Sequence, residues 1–110
     1  MSRRDEQRVL DILDAADQIL DIAQVGREAW DHDRLRQLAT ERLLEIIGES
    51  ANTLTDEFRA QHPEVPWRDI IGLRIVLAHH YHRVDPNQVW IIATREVPRL
   101  ATQLRSAGHD

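Results

Sequence analysis

Val9-Leu10-Asp11-Ile12-Leu13-Asp14-Ala15-Ala16-Asp17-Gln18-Ile19-Leu20-Asp21-Ile22-Ala23 is the stretch that decides the fold class. Val9, Ile12, Leu13, Ala16, Ile19, Leu20 and Ala23 recur at spacings of three and four, which places them on one stripe of an α-helix. A half-buried strand would alternate with a period of two, and no part of the chain keeps that alternation over strand length. The helix is expected from about Arg4 to Val25. Gly26 is its stop, because glycine accepts the left-handed conformation that closes many helices.

The same period continues outward from this segment. Asp31 or Asp33 is placed to cap a second helix carrying Leu35, Leu38, Ala39, Leu43, Ile46, Ile47 and Leu54, which ends around 51–54. Thr55-Asp56-Glu57-Phe58 reads as a short capped turn. Pro63 and Pro66 mark a break, since proline cannot supply the amide that a continuing helix needs. A third helix is expected from Pro66 or Trp67 to the region 79–82. Asp85-Pro86-Asn87-Gln88 opens the last helix, with Asp85 as N-cap, Pro86 at the first position and Gln88 placed as in a capping box. Its apolar positions Val89, Ile92, Ala93, Val97, Leu100 and Leu104 run past Pro98, which should kink it. Three long amphipathic helices and a shorter central one, with short connections, predict an all-α, antiparallel bundle of four to five helices. A length of 110 residues fits one domain, 1–110. Trp30, Trp67 and Trp90 lie in different segments and read as core or interface anchors.

Composition narrows the chemistry. Cysteine is absent, which excludes disulfides, thiolate metal sites and thiol nucleophiles. All 14 basic residues are arginine, so Schiff-base and P-loop chemistry, which need a lysine amine, are excluded as well. No apolar run of about 18 residues is present to cross a bilayer. Acidic residues stand where a signal peptide would turn apolar, so a soluble, cytoplasmic protein is expected. The formal charge of −5 is unevenly spread. Residues 1–60 carry eight arginines and fourteen acids, whereas Arg68 to Arg105 holds six arginines and only Asp69, Asp85 and Glu96. The acidic total therefore leaves room for a local anion site.

That site is sought in Gly72-Leu73-Arg74-Ile75-Val76-Leu77-Ala78-His79-His80-Tyr81-His82-Arg83-Val84-Asp85, which holds the only tyrosine and three of the six histidines. Histidine titrates near pH 6.5, and arginine offers a charged, bidentate fork to phosphate. Plainer roles exist for each residue. Arg74 can pair with Glu45 or Glu49, His79 can be an interior histidine, and Tyr81 can be an interface aromatic. His79 and His82 share a helix face, but no nearby third carboxylate completes a metal site.

Arg74, four residues, His79, one residue and Tyr81 reproduce the R-x4-H-x-Y pattern, and in this the chain resembles the HEPN superfamily, specifically its HepT-like branch. Glu45-Ile46-Ile47-Gly48-Glu49-Ser50-Ala51 is similar to the branch's EIIGEA segment. Pro66-Trp67-Arg68-Asp69-Ile70-Ile71-Gly72-Leu73-Arg74 and Val84-Asp85 match the flanks of the motif, so the resemblance spans nearly the whole chain. It implies a HEPN-type bundle, homodimeric, acting as the ribonuclease toxin of a toxin–antitoxin pair on RNA such as tRNA or mRNA, and not on DNA. It implies Arg74 and His79 as catalytic residues. It implies Tyr81 as the point where an MntA-type nucleotidyltransferase antitoxin attaches AMP, with no metal and no cofactor held by this chain itself.

Helix geometry bears on that implication. At about 100° per residue, Tyr81 falls within roughly 20° of Arg74 while His79 lies about 140° away. One straight helix cannot aim Arg74 and His79 at the same phosphate, so either the helix loosens near 78–79 or a second copy completes the site. Active members of the superfamily commonly carry a polar residue directly after the motif arginine, and here that residue is Ile75. The substitution opens an alternative reading, a non-catalytic HEPN module that binds a nucleotidyltransferase partner or a nucleotide.

Overall fold

The computed structural model describes residues 2–78 and 84–109. It is all-α, as the apolar periodicity predicts. Helix α1 spans Arg3–Ala23, and the Ser2 hydroxyl caps it by accepting from the Asp5 amide at 3.0 Å. Gly26 adopts φ +88° with ψ 162°, a positive-φ backbone open to glycine but not the left-handed helix-closing turn expected of it, and α1 is closed instead at Gln24. Gly26 starts a five-residue helix that the periodicity did not foresee, α2 (Arg27–Asp31). Asp33, the second of the two candidate caps, accepts from the Arg36 amide at 3.1 Å and opens α3 (Arg34–Thr53). The turn at Thr55 becomes α4 (Asp56–Ala60), capped by the Thr55 hydroxyl.

Helix α5 runs Trp67–Ala78. The expected end of this helix, at 79–82, lies outside the described residues. Asp85 caps α6 (Pro86–Ile91) by accepting from the Asn87 amide at 2.9 Å, one residue short of Gln88. The kink expected at Pro98 takes a specific form: a π-helical turn over Ile92–Glu96 leads into α7 (Val97–Ser106). Proline has no N–H for the Thr94 carbonyl and its ring crowds that carbonyl, so widening the preceding turn relieves the clash.

Helix α3 is the central element, with α1 packed on one side and α5 on the other, while α7 returns along α1. Ile12, Ile19, Leu44, Ile47 and Leu104 are fully buried where these helices meet. Each such side chain stabilises the fold by about 1.5–3 kcal/mol relative to exposure. Trp30 is buried with its Nε1 donating to the Thr40 hydroxyl at 3.2 Å, and Trp90 meets it at 5.3 Å between ring centres. Trp67 is buried too, donating to the carbonyls of Arg59 and His62. Not every residue of the expected stripes is inside: Leu35 is 79% exposed, and Leu20 and Leu38 are exposed as well. Leu35 stands in the first turn of α3, where the chain enters from α2 and none of the described helices covers it.

One buried charge ties the bundle's start to its middle. Asp5 accepts from the Thr55 amide at 2.9 Å and from the Thr55 hydroxyl at 2.7 Å. Burial acts to raise its pKa, but these bonds, helped by Ser2 and Arg4, bring it below the ordinary carboxylate value.

Candidate functional site

Helix α5 passes so close to α3 at Gly48 that a β-carbon added there would lie 2.7 Å from the Arg74 backbone nitrogen and 3.0 Å from the Ile70 carbonyl oxygen. Only a residue without a side chain permits that approach. Gly48 therefore sets where the backbone of Arg74 sits.

From this crossing the Arg74 side chain reaches a position one-third exposed. Its Nη1 lies 3.9 Å from Glu49 Oε1, at the outer limit of an ion pair, and Glu49 is more than half exposed. Such a pair contributes about 1 kcal/mol or less. Arg74 Nε is enclosed and has no hydrogen-bond partner among the described residues. Among the described residues the guanidinium thus has one donor, Nε, without a partner and one, Nη1, in a long ion pair, which leaves it able to turn to a phosphate. Of the two acids that could have paired with Arg74, Glu49 does so loosely, and Glu45 is engaged by Arg42.

The two residues after Arg74 face outward. Ile75 is 53% and Val76 61% exposed, so the position where a polar neighbour was expected presents an apolar surface. Leu77 is buried and lies against α3 in a small cleft that it shares with Leu38, Glu41 and Glu45. Glu41 also lines a cavity of about 430 Å³ with Trp30, Arg34, Gln37, Val84 and Pro86. Leu77 and Val84 thus both lie beside the Glu41 turn of α3. Glu41, Glu45 and Glu49, spaced by four, form an acidic row on α3 beside Leu77 and Arg74 of α5. His79, His80, Tyr81 and His82 lie outside the described residues, so their positions relative to Arg74 are not part of this geometry.

Sequence reasoning passed over a second cluster. His62, at the end of α4, is buried, and its Nδ1 lies 2.9 Å from the Phe58 carbonyl oxygen. Its Nε2 lies 3.1 Å from Nε2 of His109. Burial, and then the neighbouring His62, lower the pKa of His109. The two residues are 47 apart, and neither belongs to a motif. Among the described residues no three histidine or acidic side chains converge as a metal site, and no helix is long and apolar enough to cross a membrane.

Comparison with known proteins extends this picture. A family profile described as Ribonuclease HepT-like matches residues 12–107. A protein of Methanocaldococcus jannaschii, named as a candidate RNase, is 32% identical over 106 residues, 94% of this chain and 97% of its own. One of Caldanaerobacter subterraneus, also named as a candidate RNase, is 42% identical over 81 residues, 74% of this chain and 72% of that one. One of Thermococcus cleftensis, named as a candidate ribonuclease HepT, is 33% identical over 101 residues, 91% of this chain and 92% of its own. No solved structure matches the chain.

Proposed function

This chain belongs to the HepT-like ribonuclease family of the HEPN superfamily, and on that premise we propose that it is a metal-independent endoribonuclease, the toxin of a HepT/MntA-type toxin–antitoxin pair acting in the cytoplasm. The observation that carries the reading is Arg74, five residues before His79: its backbone is placed by the Gly48 crossing, its side chain is one-third exposed, and its guanidinium is held among the described residues only by a long ion pair to Glu49.

In this reading two copies of the chain bring their motifs into one cleft. His79 of one copy takes the proton from the ribose 2′-hydroxyl as O2′ bonds to phosphorus. The P–O5′ bond breaks, and the second His79 protonates the leaving O5′. Arg74 stabilises the charge that grows on the equatorial phosphate oxygens. The products are a 2′,3′-cyclic phosphate and a free 5′-hydroxyl. DNA lacks the nucleophile and is left intact. AMP attached to Tyr81 by the cognate nucleotidyltransferase blocks the cleft by bulk and by negative charge.

Incubation of the purified protein with RNA in EDTA, beside His79→Ala, tests the catalytic half. Cleavage is expected from the wild type only, and equal cleavage by the variant removes His79 from the mechanism. Co-expression with the antitoxin is expected to add AMP-sized mass to the wild type and none to Tyr81→Phe.

A second reading has one observation in its favour, the exposed apolar pair Ile75 and Val76. In that reading the chain is a HEPN module that binds a nucleotidyltransferase or a nucleotide without cutting RNA. Ile75→Asn separates the two: an inactive wild type whose Asn variant gains cleavage identifies a module that lost catalysis at this position.

A further inference from the structure

We propose that His62 and His109 form a two-histidine site for a borderline divalent transition ion such as Zn²⁺ or Ni²⁺, which would clip the end of α7 to the end of α4. Two imidazole nitrogens on one such ion, each at 2.0–2.1 Å, stand about 2.9–3.4 Å apart in octahedral to tetrahedral geometry. The Nε2 atoms of His62 and His109 are 3.1 Å apart.

Each ligand is prepared for the role by its own backbone. His62 Nδ1 is 2.9 Å from the Phe58 carbonyl oxygen, to which it can only donate, so the proton sits on Nδ1 and Nε2 carries a lone pair directed to His109. A carbonyl on the far ring nitrogen is the support that ligating histidines ordinarily have. The Phe58 ring stacks on His62 at 4.4 Å and flanks His109 at 5.2 Å, which fixes the plane of the first ring and walls one side of the pair.

His109 is delivered by the way α7 ends. Gly108 adopts φ +94°, the His109 amide donates to the Leu104 carbonyl, and the Gly108 amide donates to the Arg105 carbonyl. These two bonds are those of a Schellman turn, and they fold the residue after the glycine back against the bundle. Without metal, the pair shares one proton: His109 Nε2–H donates to His62 Nε2. Binding forms two nitrogen–metal bonds and displaces two metal-bound waters, while the His109 proton moves from Nε2 to Nδ1. The half-buried His109 leaves the ion's other positions to water. The site depends on neither Arg74 nor RNA cleavage.

Calorimetric titration of the metal-free chain with Ni²⁺ tests the proposal, comparing wild type, His62→Gln and His109→Ala and following amide exchange at Gly108 and His109. The wild type is expected to bind one more ion per chain than either variant, and the ion is expected to slow exchange of the two tail amides. Binding elsewhere, for example by the histidines at 79–82, persists in all three proteins and cancels in the comparison. Should His62→Gln fail to fold, His109→Ala decides alone, since it alters only the tail beyond α7. Identical isotherms for wild type and His109→Ala, or tail amides whose exchange ignores the metal, overturn the proposal.

Discussion

Gly48 and Glu49 act on Arg74 from neighbouring positions and in different ways. A methyl group at Gly48 meets backbone atoms rather than a movable side-chain end. Gly48→Ala is therefore expected to force α3 and α5 apart and to cost about 1–3 kcal/mol, read from the urea midpoint at unchanged slope. Glu49 is the opposite case, an exposed and loosely held partner. Glu49→Gln should leave stability within about 0.5 kcal/mol. It should also lower KM for RNA a few-fold, because the substrate phosphate no longer competes with a carboxylate for Arg74. Asp5 sets a pH dependence. Its folded pKa lies below the ordinary 3.8, so the stability it contributes is present above about pH 4 and is lost as pH falls through the folded value. Asp5→Asn should flatten the acid limb of the stability curve below about pH 4, and should cost about 1–3 kcal/mol at neutral pH.

At the level of helices, α3 is the element on which the rest is built, and its first turn and its middle differ. Leu44 is fully exposed to core packing and fully hidden from water, so Leu44→Ala should cost about 2–5 kcal/mol, whereas Leu35→Ala, at 79% exposure, should fall within about 0.5 kcal/mol of wild type. Thermal melts of the two variants check the contrast. The long helices were legible because apolar spacing and side-chain caps are local signals: Ser2, Asp33, Thr55 and Asp85 each cap where they stand. Helix α2 was not legible, for its five residues carry no side-chain cap and start from a glycine that reads as a stop. The π turn was legible only as a kink, since proline dictates that an amide is missing and packing decides how the chain absorbs the loss. At the candidate site, R-x4-H-x-Y singled out Arg74, whereas the role of Gly48 depends on a crossing between helices that no local pattern encodes. The His62–His109 pair was hidden for the same reason, being made by a turn 47 residues downstream.

Over the whole molecule, the charge asymmetry of the sequence acquires a place. The fourteen acids of residues 1–60 include Glu41, Glu45 and Glu49, which run along α3 beside the motif-bearing helix rather than on a remote face. An RNA approaching Arg74 meets this acidic row as well, which limits indiscriminate attraction of polyanions and favours a substrate that fits. The central claim is that phosphate bound at Arg74 is attacked by the neighbouring 2′-hydroxyl, and the most direct measurement uses one oligoribonucleotide beside its copy carrying a single 2′-deoxy residue at the cut site, both in EDTA. The account predicts that the wild type cuts the first to 2′,3′-cyclic phosphate ends, leaves the second whole, and loses about 100-fold or more in rate on Arg74→Ala. Equal cleavage of the deoxy-substituted strand, or an Arg74→Ala variant that cuts as fast as wild type, would contradict it.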